Sequence, residues 1–217
     1  MNCAICGIRK PKRHCPALHA DICSVCCGTE REQTVDCPLV CEYLHQAHAH
    51  EREPPADVLS GTPNSDYKLT EEFLRENEMA LFFLGSVVFE GVIESAGATD
   101  YDAREALEAL IRTYQAADSG LYYETRPVNP FASAIFQKVQ TRVSEIRKLD
   151  RESGPGALKM RDSVILGLLI FFQRLEYTHN NGRKRSRAYL DVLRTFYVEQ
   201  ITQMGNTPEP DAPRIIL

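Results

Sequence analysis

Along the first 50 residues apolar side chains are sparse and follow no period, whereas from about residue 68 they recur every three to four positions. That spacing lines one face of a helix, and five helices are predicted. The first spans about 70–95, with Thr70 as N-cap and Glu71 and Glu72 suited to the positive end of the helix dipole. The second, about 101–118, has Asp100 as its cap, a stripe of Leu107, Leu110, Ile111 and Tyr114, and Gly120 to end it. Asn129 caps the third, with Pro130 in its first turn and a stripe of Ala132, Ile135, Phe136, Val139, Val143 and Ile146. The fourth and fifth, about 157–180 and 183–204, are separated by the stop signal Asn180-Asn181-Gly182. Short connections favour antiparallel neighbours, so residues 67–205 are expected to form an all-α helical bundle, with Phe82, Phe83, Phe171 and Phe172 in its core.

Between the two zones, "EREPPADVLSGTPNSD" (51–66) combines three prolines and a glycine and reads as a linker. "GLYYETRPVNP" (120–130) is a proline-rich connection whose Tyr122, Tyr123 and Arg126 either pack on the bundle or form a recognition surface. Residues 206–217 read as a C-terminal tail. The longest apolar runs, at 79–89 and 164–172, are eleven and nine residues, against the roughly 18–20 needed to span a bilayer. The opening residues have no apolar stretch of signal-peptide length, so a soluble cytoplasmic protein without a membrane partner is expected. A hydrophobic content of 43% and a charged content of 25% are ordinary for a globular chain. The net charge of −5 argues against a protein wholly devoted to coating nucleic acid. Residues 1–50 carry five Lys/Arg and five Asp/Glu, so the whole deficit falls on 51–217.

All eight cysteines lie within the first 41 residues: Cys3-x2-Cys6, Cys15, Cys23-x2-Cys26 followed directly by Cys27, and Cys37-x3-Cys41. In a reducing compartment such a cluster points to metal rather than to disulfides. Two thiolates two residues apart reach one ion from a tight turn, and a tetrahedral zinc takes four ligands. Eight thiols therefore predict two zinc ions in a module of residues 1–50. Gly7 and Gly28, just past two of the cysteine groups, suit the backbone freedom of a knuckle. So few large apolar residues cannot hold a fold by burial, and metal binding would supply the missing free energy. A thioredoxin-like redox role lacks its βαβ context. An iron–sulfur cluster also takes four thiolates, and spacing does not separate it from zinc. His45, His48 and His50 are either a further metal patch or a solvated helix end running into the linker.

Over about residues 3–41 this pattern resembles the cross-brace zinc fingers of the HIT and MYND families, in which ligand pairs one and three hold one ion and pairs two and four the other. The resemblance implies one site of Cys3, Cys6, Cys23 and Cys26, and a second that includes Cys15, Cys37 and Cys41. The chain departs from the family pattern in three places: no cysteine follows two residues after Cys15, "CPLVC" replaces the closing His-x3-Cys, and Cys23-x2-Cys26 is closer than the families' third pair. The last opens the alternative that Cys27 serves the first site and His19 the second. The fourth ligand of the second site is Cys27, which uses every thiol, or His19 in "CPALH". "ICSVCCG…CPLVCEYL" ahead of a helical region also resembles a group of bacterial proteins of unknown function.

Two basic clusters have the chemistry to touch phosphate: Arg9, Lys10, Lys12 and Arg13 within the module, and Arg183, Lys184, Arg185 and Arg187 at the start of the fifth predicted helix. Cations there oppose the helix dipole. They bind an anion together with free N–H groups, or they answer the C-terminus of the preceding helix. No Walker A, GxGxxG, HExxH, GxSxG or HxE…PCxxC pattern is present. A zinc saturated by thiolates has no open position for catalysis. HIT and MYND modules commonly mediate protein contacts, so the resemblance implies a non-enzymatic zinc-binding adaptor or scaffold with protein partners. The alternative is a nucleic-acid-binding regulator acting through clusters 9–14 and 183–187, with salt-dependent affinity. An enzyme would need a polar pocket in the helical region holding perturbed titratable groups.

Overall fold

The structure is a computed structural model that describes residues 2–51, 57–61, 63–121, 123–153 and 160–205. Tyr122, the tail at 206–217, linker residues 52–56 and 62, and the expected helix start at 157–159 lie outside the described residues. The chain is mostly helical, with a small cysteine-rich N-terminal region and one two-stranded sheet. In chain order the elements are β1 (Arg13–Cys15), β2 (Ala20–Ile22), α1 (Ser24–Glu30), α2 (Glu42–Glu51), α3 (Glu71–Glu76), α4 (Glu78–Glu94), α5 (Asp100–Asp118), α6 (Pro130–Ser153), α7 (Asp162–His179) and α8 (Ala188–Gly205). Among the described residues no helix is long and apolar enough to cross a membrane.

The helical region is built on the stripes expected of it. Leu107, Leu110, Ile111 and Tyr114 of α5 are buried, as are Ala132, Ile135, Phe136, Val139 and Val143 of α6. α5 lies against both α6 and α7, while α4 packs on α6, α7 and α8. Close approach is secured at Gly85 of α4, where a Cβ would overlap the Tyr197 hydroxyl and sit 2.6 Å from Phe172 Cζ.

Four helix boundaries differ from the expectation: α7 begins at Asp162 and not near 157, and each of the other three has an identifiable hydrogen-bonding reason. The first predicted helix is two, because Asn77 ends α3 and its side-chain amide donates to the Phe73 carbonyl at 2.8 Å. Asp100 is not the cap of α5. Thr99 is, in a capping box with Asp102, whose carboxylate accepts the Thr99 N–H at 2.7 Å. Asp100 instead caps a different helix: its carboxylate accepts the N–H groups of Tyr189 and Leu190, each at 3.1 Å, and the Ser186 hydroxyl at 2.5 Å. Burial pushes its pKa up to about 7. With those donors satisfied from α5, α8 begins at Ala188, and the basic cluster 183–187 forms the turn ahead of it.

The stretch read as a linker is in part strapped down. Arg174 of α7 is 1% exposed, and its guanidinium donates to the carbonyls of Leu59, Pro63, Asn64 and Tyr67. A buried cation held by four carbonyls fixes this segment without any regular structure.

Candidate metal centre

The N-terminal region has almost no hydrocarbon core. Of its eight buried apolar residues, five are Cys3, Cys15, Cys23, Cys26 and Cys37, leaving only Ile22, Val35 and Leu44. All eight cysteines are free of disulfides. The three-residue strands β1 and β2 pair antiparallel, with Cys15 opposite Ala20, and His19 sits in the turn between them at φ 49°. This hairpin is too short to show alternation in the sequence.

Cys3, Cys6, Cys23 and Cys26 converge: their four sulfurs lie within 4.8 Å of one another. Among the described residues this is the one group of His, Cys, Asp and Glu ligand atoms drawn that close, and it can hold a metal ion. The backbone forms two knuckles around it. After Cys6 the chain reverses at Gly7, φ 66°, whose N–H donates to the Cys3 carbonyl at 2.8 Å. After Cys23 the chain enters α1, and the Cys26 N–H donates to the Cys23 sulfur at 3.4 Å. The Cys23 N–H donates to Cys3 Sγ at 3.2 Å. Gly28 has no such role, since it lies within α1 and is not among the residues of positive φ. The backbone N–H of Cys6 brings the Cys3 thiol down to about 6, while hydrogen bonding to Cys23, then burial, pushes Cys26 up to about 12. Four sulfurs this close cannot all ionise without a cation between them.

The other four thiols, Cys15, Cys27, Cys37 and Cys41, line a single small cavity of about 20 Å³. They are drawn together less tightly than the first set. Ile22, Val35 and Leu44, the three hydrocarbon side chains of the core, line the same cavity. His19 is exposed and is not among the residues around it.

The basic cluster 9–14 divides between these two thiol sets. The pKa of Arg9 is raised by hydrogen bonding to Cys23 and by the charges of Cys23 and Cys6. Arg13 Nη1 donates to Cys27 Sγ at 3.3 Å, and its guanidinium stacks 4.6 Å over the Tyr43 ring. Lys10 and Lys12 are exposed. The cluster 183–187 likewise faces protein. Arg187 is buried and donates to the carbonyls of Cys37 at 2.5 Å and Ala98 at 2.9 Å, with Asp36 2.8 Å away. Arg183 donates to the carbonyl of Arg31 at 2.8 Å, and Arg185 lies 3.7 Å from Asp36. Lys184 is exposed.

These arginines belong to a polar seam between the cysteine-rich region and the bundle, and its hub carried no sequence signal. Glu32 is fully buried at φ 56°, a backbone state uncommon for any residue but glycine. Its carboxylate accepts from the Arg187 N–H at 2.6 Å, from Asn181 at 2.9 Å and from His48 Nε2 at 3.1 Å. Its carbonyl accepts from the Arg185 N–H at 2.7 Å. His48, 3% exposed, bridges on to Asp191 of α8 at 3.1 Å, and Asp191 also meets His45 and Arg194. The histidine run divides: His48 is a structural cation, His45 its half-exposed neighbour, and His50 lies exposed near the end of α2. Among the described residues the three do not form a cluster of converging metal ligands. A histidine flanked by carboxylates from remote parts of the chain leaves no local pattern to read.

Comparison with protein-family models, with curated proteins and with solved structures finds no match to this chain.

Proposed function

We propose that the chain is a non-enzymatic zinc-binding interaction protein, an adaptor or scaffold whose N-terminal region holds two zinc ions. The carrying observation is the region's core, in which five of eight buried apolar residues are cysteines. All-thiolate surroundings suit zinc, and four thiolates fill its coordination sphere, which favours a structural ion over a reactive one. The first ion belongs among Cys3, Cys6, Cys23 and Cys26. The second belongs among Cys15, Cys27, Cys37 and Cys41, whose cavity has about the volume of one small sphere. Cys27, inside that lining, is a better fourth ligand than the exposed His19. This division into interleaved sets is the one the HIT and MYND resemblance implies.

Support for partner binding comes from the outer surface, where Ile8 and Val40 are 82% and 85% exposed and Val25 and Leu18 are half exposed. The nucleic-acid alternative rests on the exposed Arg9, Lys10, Lys12, Lys184 and Arg185, because Arg13, Arg183 and Arg187 are engaged within the protein. Elemental analysis of the purified, reduced chain is expected to find two zinc per molecule; iron, or no metal, sinks the reading. Capture from native cells with wild type and with Ile8→Asp/Val40→Asp protein then tests the surface. A partner retained by wild type and lost by the variant supports an adaptor. Steeply salt-dependent oligonucleotide binding that needs Lys10 and Lys12 favours the alternative.

A further inference from the structure

Among the described residues, the hydrogen bonds and ion pairs that join the cysteine-rich region to the bundle start from residues 28–51. That stretch begins just after Cys27 and includes Cys37 and Cys41, two of the four cysteines around the small cavity. The tight quartet of Cys3, Cys6, Cys23 and Cys26 contributes none of them. Cys37 belongs to both structures at once. Its side chain lines the small cavity, and its carbonyl accepts Arg187 Nη1 at 2.5 Å. Glu32 connects the same segment to the turn ahead of α8 through the N–H groups of Arg185 and Arg187. With φ at 56° Glu32 depends on its surroundings to stay in place.

From this asymmetry we propose that the second thiol set, and not the first, is a metal-dependent latch. Filling it holds the 28–51 segment in the shape that docks on α8, and emptying it releases the seam and uncovers Arg183 and Arg187. The inference rests on the two-ion reading above. Loss of the latch ion leaves the tight quartet free to keep its own metal, so the released head stays attached to its knuckles while its bundle-facing side opens.

The amides of Arg185 and Arg187 report docking directly, because each donates to Glu32. The test uses the zinc-loaded full chain and compares two double variants, Cys15→Ser/Cys41→Ser and Cys3→Ser/Cys6→Ser, by amide hydrogen exchange alongside the zinc count. None of the four substituted side chains forms a described bond to the bundle. The first variant is expected to keep one zinc and to exchange both amides roughly tenfold or more faster than wild type. The second is expected to keep one zinc with both amides protected. Equal acceleration in both, or protection in both, overturns the proposal. Should either variant lose both ions, stepwise zinc removal from wild type by a competing chelator decides. Protection of the two amides must fall with only one of the two ions released, and a loss that tracks both ions equally overturns it. A wild-type chain without metal overturns this and the preceding reading together, whereas two ions with indistinguishable variants overturn this one alone.

Discussion

His48 shows how one side chain can tie remote segments together. Its ring nitrogens face Glu32 and Asp191, each at 3.1 Å, so it is held as an imidazolium between two carboxylates. Burial works against that charge, but the hydrogen bonds to Asp191 and Glu32 outweigh it and raise the pKa to about 9. A pKa raised above the unfolded value of 6.5 gives stability that is complete below that value and is lost as pH rises through about 9. Thermal stability is therefore expected to fall between these limits in wild type, and His48→Gln to remove that alkaline decline; a parallel decline in the variant contradicts the assignment. Glu32 and Asp191 are both held below their ordinary values by His48 despite their burial, so their contribution is lost on the acid side. His48→Ala strands two buried carboxylates and should cost about 3–5 kcal/mol in denaturant melts. Arg13 offers a second test at this scale. Its N–H on the Cys27 sulfur suits it to offset thiolate charge, so Arg13→Gln should weaken one bound metal by about 10–100-fold in chelator competition. Lys10→Gln should change nothing. The thiols were plain in the sequence, but their charged neighbours were not: "RKPKRH" does not say which of its cations turn inward.

Among the elements, the helices were legible because period and burial coincide in α5 and α6, whose stripes are the buried residues. Their ends were legible only where the capping group is local, as with Thr70, which accepts the Phe73 N–H at 3.1 Å. α8 starts later than its sequence suggests, because its first N–H groups are taken by Asp100 from α5 and Glu32 from the head. No window of sequence around residue 188 contains either one. Gly85 is another element-scale feature with a measurable cost. A methyl there meets Tyr197 and Phe172, both buried rings, so Gly85→Ala should destabilise by about 1–3 kcal/mol. An unchanged melting temperature would mean that α4 and α8 do not approach as closely as described. The Arg174 strap gives a further expectation: Arg174→Leu should leave α7 folded and make residues 57–67 newly susceptible to limited proteolysis, since four carbonyls lose their donor.

For the molecule as a whole, the division into a sulfur-rich head and a helical body was visible from the sequence, and the seam between them was not. The two parts differ in what holds them. The body buries a continuous apolar cluster drawn from α4 to α8, whereas the head has three hydrocarbon side chains at its centre. Thorough chelation under reducing conditions should therefore disorder residues 2–51 and leave the body helical. The loss of helix signal should be confined to α1 and α2, seven and ten residues long. A head that keeps its amide dispersion after chelation, or a body that melts with it, would contradict this separation.

The composition of the head's centre also decides which replacements it can accept. Hydrocarbon interiors exchange Leu, Ile, Val and Met at modest cost, because shape and volume are most of what they require. At Cys26, a valine of comparable bulk would fill the space and still leave Cys3, Cys6 and Cys23 one donor short. The head thus has no alternative spelling in oily residues, and its tolerance of substitution should end abruptly at each thiol while the body drifts freely among aliphatic choices.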